Sequence, residues 1–153
     1  MNIKSPLKMK ISRLNPDDSE KLRLLEKLYV EVFEVKNSQN PGLEYFKNLL
    51  KNDNFIYLIA ENEYEIIGGL TAYLMPSLHG HLEVYVYDLA VKNNFQRKGI
   101  GTLLMQKIFE ISKNLDAAEV FLQADNVDEH ALRFYRKLKG IPEEDITNFS
   151  YKL

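Results

Sequence analysis

The stretch Asn93–Glu110, NNFQRKGIGTLLMQKIFE, decides how this chain is read. Gly99 and Gly101 stand one residue apart behind Gln96, Arg97 and Lys98. An apolar pattern of helical spacing follows, with Ile100, Leu103, Leu104, Ile108, Ile111 and Leu115 on its inner face. A helix that starts here leaves the N–H groups of Lys98 to Thr102 without intrahelical acceptors, at the positive end of its dipole. Such an end binds anions. The glycines take Cβ atoms out of the approach, and Gln96, Arg97 and Lys98 add donors and charge. Spacing excludes two phosphate loops. A dinucleotide fold needs a third glycine where Leu104 stands, and the Gly-Lys-Ser/Thr of a Walker-type loop is absent. On residue chemistry alone, a pyrophosphate site and a plain strand–turn–helix with solvated basic residues both stay open.

The segment just before this loop, LEVYVYDLAV (82–91), is apolar on both faces except at Glu83 and Asp88. It is expected to lie mid-sheet, covered on both sides. Upstream, KMKISRL, with 9–13 at its heart, reads as a short first strand. Asn15-Pro16-Asp17-Asp18 supplies turn and cap residues for a helix from Ser19, whose Leu22, Leu25, Leu28, Tyr29, Val32 and Phe33 share a face. A second helix is expected over Leu43 to Leu50, then strands over Phe55–Ala60 and Ile66–Met75. Downstream of the glycine-opened helix come a strand over Glu119–Ala124 and a helix capped by Asp128, running to Leu138 and ended by Gly140. FSYKL (149–153) is expected as an edge strand. The order β-α-α-β-β-β-α-β-α-β is mixed α/β, with a crossover helix between two strands that should be parallel neighbours.

Length and composition narrow the function. At 153 residues, 45% apolar and 27% charged, the chain fits a single globular domain over residues 1–153. A net charge of −2, with basic residues scattered, gives no nucleic-acid footprint. No apolar run approaches the roughly 20 residues of a membrane span, and MNIKSPLKMKI has no signal-peptide centre, so a cytoplasmic protein is expected. The absence of cysteine excludes disulfides, thiolate metal sites and a cysteine acyl-enzyme. His79, His81 and His130 lack metal-ligand spacing; no metal is expected, and HGH (79–81) reads as a surface turn.

Gln-x-x-Gly-x-Gly (Gln96 to Gly101), after a strand ending Leu-Ala-Val and before an amphipathic helix, resembles the acetyl-CoA signature of GNAT N-acetyltransferases. ALRFYRKLKG (131–140) resembles that superfamily's tyrosine-bearing helix. A closer likeness is to the aminoglycoside 3-N-acetyltransferases of the gentamicin-modifying type, through FKNLLKNDNFIYLIA, IIGGLTAYLMP, EVYVYDLAV and FLQAD in the same order. The chain departs from that pattern between Asp125 and His130, and in KLKGIPEEDITNF, one residue longer near the glycine. The resemblance implies the GNAT fold, with a mostly antiparallel sheet splayed at its centre and helices on both faces. It implies acetyl-CoA as cosubstrate and a small-molecule amine as acceptor, the 3-amino group of an aminoglycoside such as gentamicin, with antibiotic resistance as a role. It also allows a homodimer through the C-terminal strand.

Direct acetyl transfer to an amine makes three chemical demands: a base for the amine, donors for the oxyanion and a proton for the thiolate. Asp88, a charge in an apolar strand whose burial would raise its pKa, is the candidate base or ammonium anchor. Its alternative role is a structural carboxylate, and Glu83 is a second candidate base. The resemblance implies that Leu89, Ala90 and Val91 offer main-chain groups to the pantetheine arm and thioester. It likewise implies that Gln96, Arg97, Lys98, Gly99, Ile100, Gly101 and Thr102 hold the pyrophosphate and that Tyr135 protonates the leaving sulfur. A polycationic acceptor asks for carboxylates. Asp125 is the first candidate and the cluster Glu143, Glu144, Asp145 a second. Two rival readings stay open: the same chemistry on a polyamine, another small amine or a protein amino group, and a non-catalytic acyl-CoA sensor.

Overall fold

Continuous burial along β2 and most of β3 builds a sheet covered on both faces at its centre. The computed structural model describes residues 8–153. Its five strands are β1 (Lys10–Arg13), β2 (Phe55–Glu61), β3 (Ile66–Pro76), β4 (Leu82–Val91) and β5 (Glu119–Leu122), in that spatial order. Neighbours are antiparallel except β4 and β5, which are parallel and joined by the crossover helix α3 (Ile100–Asn114). On one face lie α1 (Ser19–Val32) and α2 (Leu43–Leu50); Leu22, Leu25, Leu28, Phe46 and Leu50 pack there with Tyr57, Ile59 and Ala90. On the other, Ile100, Leu104, Met105 and Ile108 of α3 are fully buried. The alternate β2 residues, Ile56 and Leu58, are buried with them.

At the pair Gly68-Gly69 in β3, α3 presses on one face of the sheet and α1 on the other. A Cβ on Gly69 would collide with a methyl group of Leu25 of α1. A Cβ on Gly68 would lie 3.0 Å from the Ala90 carbonyl oxygen and 3.3 Å from Ile100 Cγ2 of α3. Small residues at this spot therefore set how near the helices come to the end of β4.

The described residues fall into two compact units, the first closing at Leu122 and the second running from Gln123 to Leu153. In the second, Asp128 caps α4 (Glu129–Lys137) by accepting the Ala131 N–H at 3.0 Å. No helix among the described residues is long and apolar enough to cross a membrane.

Several sequence expectations are corrected. FSYKL forms no strand: residues 149–153 are exposed and irregular, with Phe149 and Tyr151 finding no packing. A strand needs a paired edge, and this segment has none. β5 stops at Leu122 rather than Ala124, at the point where its pairing with β4 ends. β4 is not covered on both sides, since Tyr87 is 60% exposed. In α3 the buried stripe includes Met105, while Leu103 and Leu115 face outward. α4 ends through Lys139, which takes the left-handed φ of 66° expected of the glycine beside it.

Candidate active site

The strand β4 changes partners along its length, and the site is built there. From Glu83 to Val86 it pairs on both sides, with β3 and with β5. Between Val86 and Asp88 the register with β3 slips, so that Tyr87 is an extra residue. Beyond the bulge, Asp88 to Val91 pairs with β3 alone. The alternate backbone groups of Leu89, Ala90 and Val91 that do not bond to β3 are thus left without a strand partner. These are the main-chain groups expected to meet an acyl donor.

Asp88 sits opposite Thr71 of β3. Partial burial raises its carboxyl to about 6, against a hydrogen bond from the Thr71 hydroxyl that pulls the other way. Thr71 Oγ1 also lies 3.1 Å from the hydroxyl of Tyr29 on α1. Either hydroxyl can donate in that contact. Burial holds the Tyr29 phenol far above its ordinary value, so it keeps its proton. Tyr29, Thr71 and Asp88 thus stand in a row, with a carboxyl raised to about 6 at its end.

The loop after β4 is held in shape by its own polar groups. Gln96 Nε2 donates to the Val91 carbonyl at 3.0 Å and to Asn93 Oδ1 at 3.1 Å, tying the loop to the strand end. Arg97 and Gly99 both adopt left-handed backbone, at φ of 59° and 81°. Gly99 is required by that angle rather than by crowding, since a Cβ there would meet nothing within 4 Å. The first helical bond of α3 runs from the Leu103 N–H to the Gly99 carbonyl. Ile100, Gly101 and Thr102 consequently present first-turn N–H groups with no intrahelical acceptor. Lys98 folds back, its Nζ 3.0 Å from the Asn94 carbonyl and 5.1 Å from the Phe95 ring centroid. The donor set, a left-handed turn feeding an open helix N-terminus with Arg97 and Lys98 beside it, fits a pyrophosphate.

The remaining expected residues belong to other elements. Glu83 is near the opposite end of β4, paired with Met75 and Glu119. Tyr135 lies on α4, in the second unit, where burial and the charge of Asp128 raise its phenol. Asp125 spends one carboxylate oxygen on the Val127 N–H at 3.1 Å, shaping its own turn. Glu143, Glu144 and Asp145 are exposed in irregular chain. The histidines at 79 and 81 do form an exposed turn: Ser77 N–H donates to the His81 carbonyl, with Gly80 at φ 82°.

Sequence reasoning missed Thr71 and Tyr29, and it missed a group of tyrosines around Asp88. Its charge acts on Tyr29, Tyr57, Tyr73 and Tyr85. The signal was present in the i, i+2 aromatic pairs Phe55/Tyr57 and Tyr85/Tyr87, but only the strand register brings them together.

The Acetyltransferase (GNAT) family model matches residues 22–140. Among solved structures, the chain is similar to an aminoglycoside acetyltransferase, meta-AAC0020, from an uncultured soil metagenomic sample. That protein is known in complex with trehalose and with sisomicin; identity is 40%, over 95% of this chain and 96% of that one, with a TM-score of 0.90. A second aminoglycoside acetyltransferase from an uncultured soil sample, HMB0005, is 33% identical over 95% of this chain and 98% of that one, with a TM-score of 0.87. The N-alpha-acetyltransferase of Sulfurisphaera tokodaii is 27% identical over 125 residues, 74% of this chain and 72% of that protein.

Proposed function

The chain belongs to the GNAT acetyltransferase family and is an N-acetyltransferase, and from that premise we propose that it acetylates an aminoglycoside, at the 3-amino group of the central ring. The observation that carries the reading is the place of Asp88: a partly buried carboxyl, raised to about 6, where β4 passes from two strand partners to one, suited both to attract an ammonium and to accept its proton. The aminoglycoside acetyltransferases similar to this chain, one of them bound to sisomicin, support the acceptor class.

The donor in this family is acetyl-CoA, which supplies an activated acetyl carbonyl when bound. The open N–H groups at the start of α3, with Gln96, Arg97 and Lys98, hold the pyrophosphate. The main-chain groups of Leu89 to Val91 that turn away from β3 align the pantetheine arm and donate to the carbonyl oxygen. Asp88 takes the proton from the attacking amine, and Thr71 keeps its carboxylate aimed. The C–N bond forms as the C–S bond breaks, and Tyr135, whose raised phenol is protonated at working pH, gives its proton to the sulfur. Asp125 and Glu144 are the proposed acidic contacts for the acceptor's remaining charges.

A second reading, transfer to a protein N-terminal amine, is favoured by the likeness to the N-alpha-acetyltransferase of Sulfurisphaera tokodaii. The two separate in one assay: free-thiol release from acetyl-CoA with gentamicin, spermidine or a short peptide as acceptor. The chain has no cysteine and adds no thiol of its own. Release with gentamicin alone is expected. Release only with the peptide would replace the aminoglycoside reading with the second one.

A further inference from the structure

On the α1-facing side of the sheet, one row is aromatic across four strands. Phe55, Tyr73, Tyr85 and Phe121 stand in register on β2, β3, β4 and β5. Their rings touch in series: Phe55 and Tyr73 have centroids 5.0 Å apart, and Tyr85 stacks on Phe121 at 5.0 Å. The bulge residue Tyr87 bridges the gap, 5.4 Å from Tyr73 and 5.9 Å from Tyr85, and stays largely open to solvent. Asp88 borders this row on the same face, through its partner Thr71. Glu83 lies on that face too, two residues before Tyr85 and, at strand rise, about 16 Å from Asp88.

Two carboxylates separated by a continuous aromatic surface form a recognition pattern. The π faces attract cations and accept the C–H faces of saturated rings, and the phenols hydrogen-bond hydroxyl groups. A linear polyamine could meet the two charges but has no ring to lay on the surface. A peptide N-terminus brings one charge. We propose that this tyrosine face is the acceptor-binding surface and that it selects a hydroxylated, ring-bearing polycation, laid along β4 with one ammonium at Asp88 and another towards Glu83. The inference rests on the reading of Asp88 as the amine end of the site.

The test is calorimetric titration of sisomicin and of spermidine into the full chain without acetyl-CoA, for wild type, Tyr87→Ala and Tyr87→Phe. Sisomicin is expected to bind more tightly than spermidine. Tyr87→Ala should weaken sisomicin about tenfold and spermidine, which loses only an ammonium–ring attraction, clearly less, while Tyr87→Phe, which keeps the ring, stays within about twofold. Tyr87 is exposed, so neither variant threatens folding. Absent sisomicin binding, equal affinity for both amines, or an unchanged Tyr87→Ala would overturn the proposal. Ring-dependent binding of sisomicin without thiol release from acetyl-CoA would refute the proposed reaction and leave the tyrosine face standing. Turnover of gentamicin with the same KM in Tyr87→Ala would do the reverse.

Discussion

Asp88 is held between two influences, burial that favours its neutral form and a Thr71 hydroxyl that favours its charged one, and burial wins. The consequence for rate is a limb rising with pH through about 6 in kcat/KM, as the base loses its proton. Asp88→Asn should remove that limb and lower turnover by about 10²-fold or more. The consequence for stability has the opposite sign. A carboxyl raised from 3.8 to about 6 favours folding below pH 4, and that advantage is lost as pH climbs through 6. Asp88→Asn should therefore unfold later than wild type at pH 8, by on the order of 1 kcal/mol at this half-buried site, and match it at pH 4. Thermal melts at the two pH values check this; a variant weaker at both would identify a structural carboxylate. Tyr135→Phe belongs to the same scale. Loss of the hydroxyl is expected to reduce kcat about 10²-fold with acetyl-CoA affinity intact, and equal turnover by both proteins would sink the proton-donor role.

The loop–helix element from Gln96 to Asn114 depends on a backbone angle more than on any side chain. With Gly99 at φ 81° and empty space where a Cβ would be, Gly99→Ala introduces strain without collision, on the order of 1 kcal/mol. The strain falls on the residue that sets the N–H groups of α3, so acetyl-CoA binding should weaken with it. Asparagine tolerates this region better, and Gly99→Asn is expected to recover most of both losses. Equilibrium unfolding together with acetyl-CoA titration would test the pair; equal damage from both substitutions would point to side-chain exclusion instead. The C-terminus of α4 makes the complementary point. Lys139 accepts the same kind of angle without being glycine, because the Gly140 N–H closes on the Tyr135 carbonyl at 3.0 Å and holds the turn.

For the whole molecule, a ligand that binds only the folded state raises the melting temperature by mass action. Acetyl-CoA at 100 times its Kd should add about 2.7 kcal/mol, or roughly 5–10 °C for a chain of this length. No shift at saturating acetyl-CoA would remove the pyrophosphate cradle from the site. The sequence alone carried the elements from α1 to α4 to within a few residues, because apolar periodicity reports which face is buried whatever covers it. It also carried the loop motif, because glycine spacing and a helix start are local matters, and it singled out Asp88 as a charge in an apolar strand. Only the tertiary structure decided the rest. The partner change of β4, the bulge at Tyr87, the line Tyr29–Thr71–Asp88 and the four-strand aromatic row each join residues from different strands and helices. The register that joins them is fixed by packing between elements, and no single segment contains it.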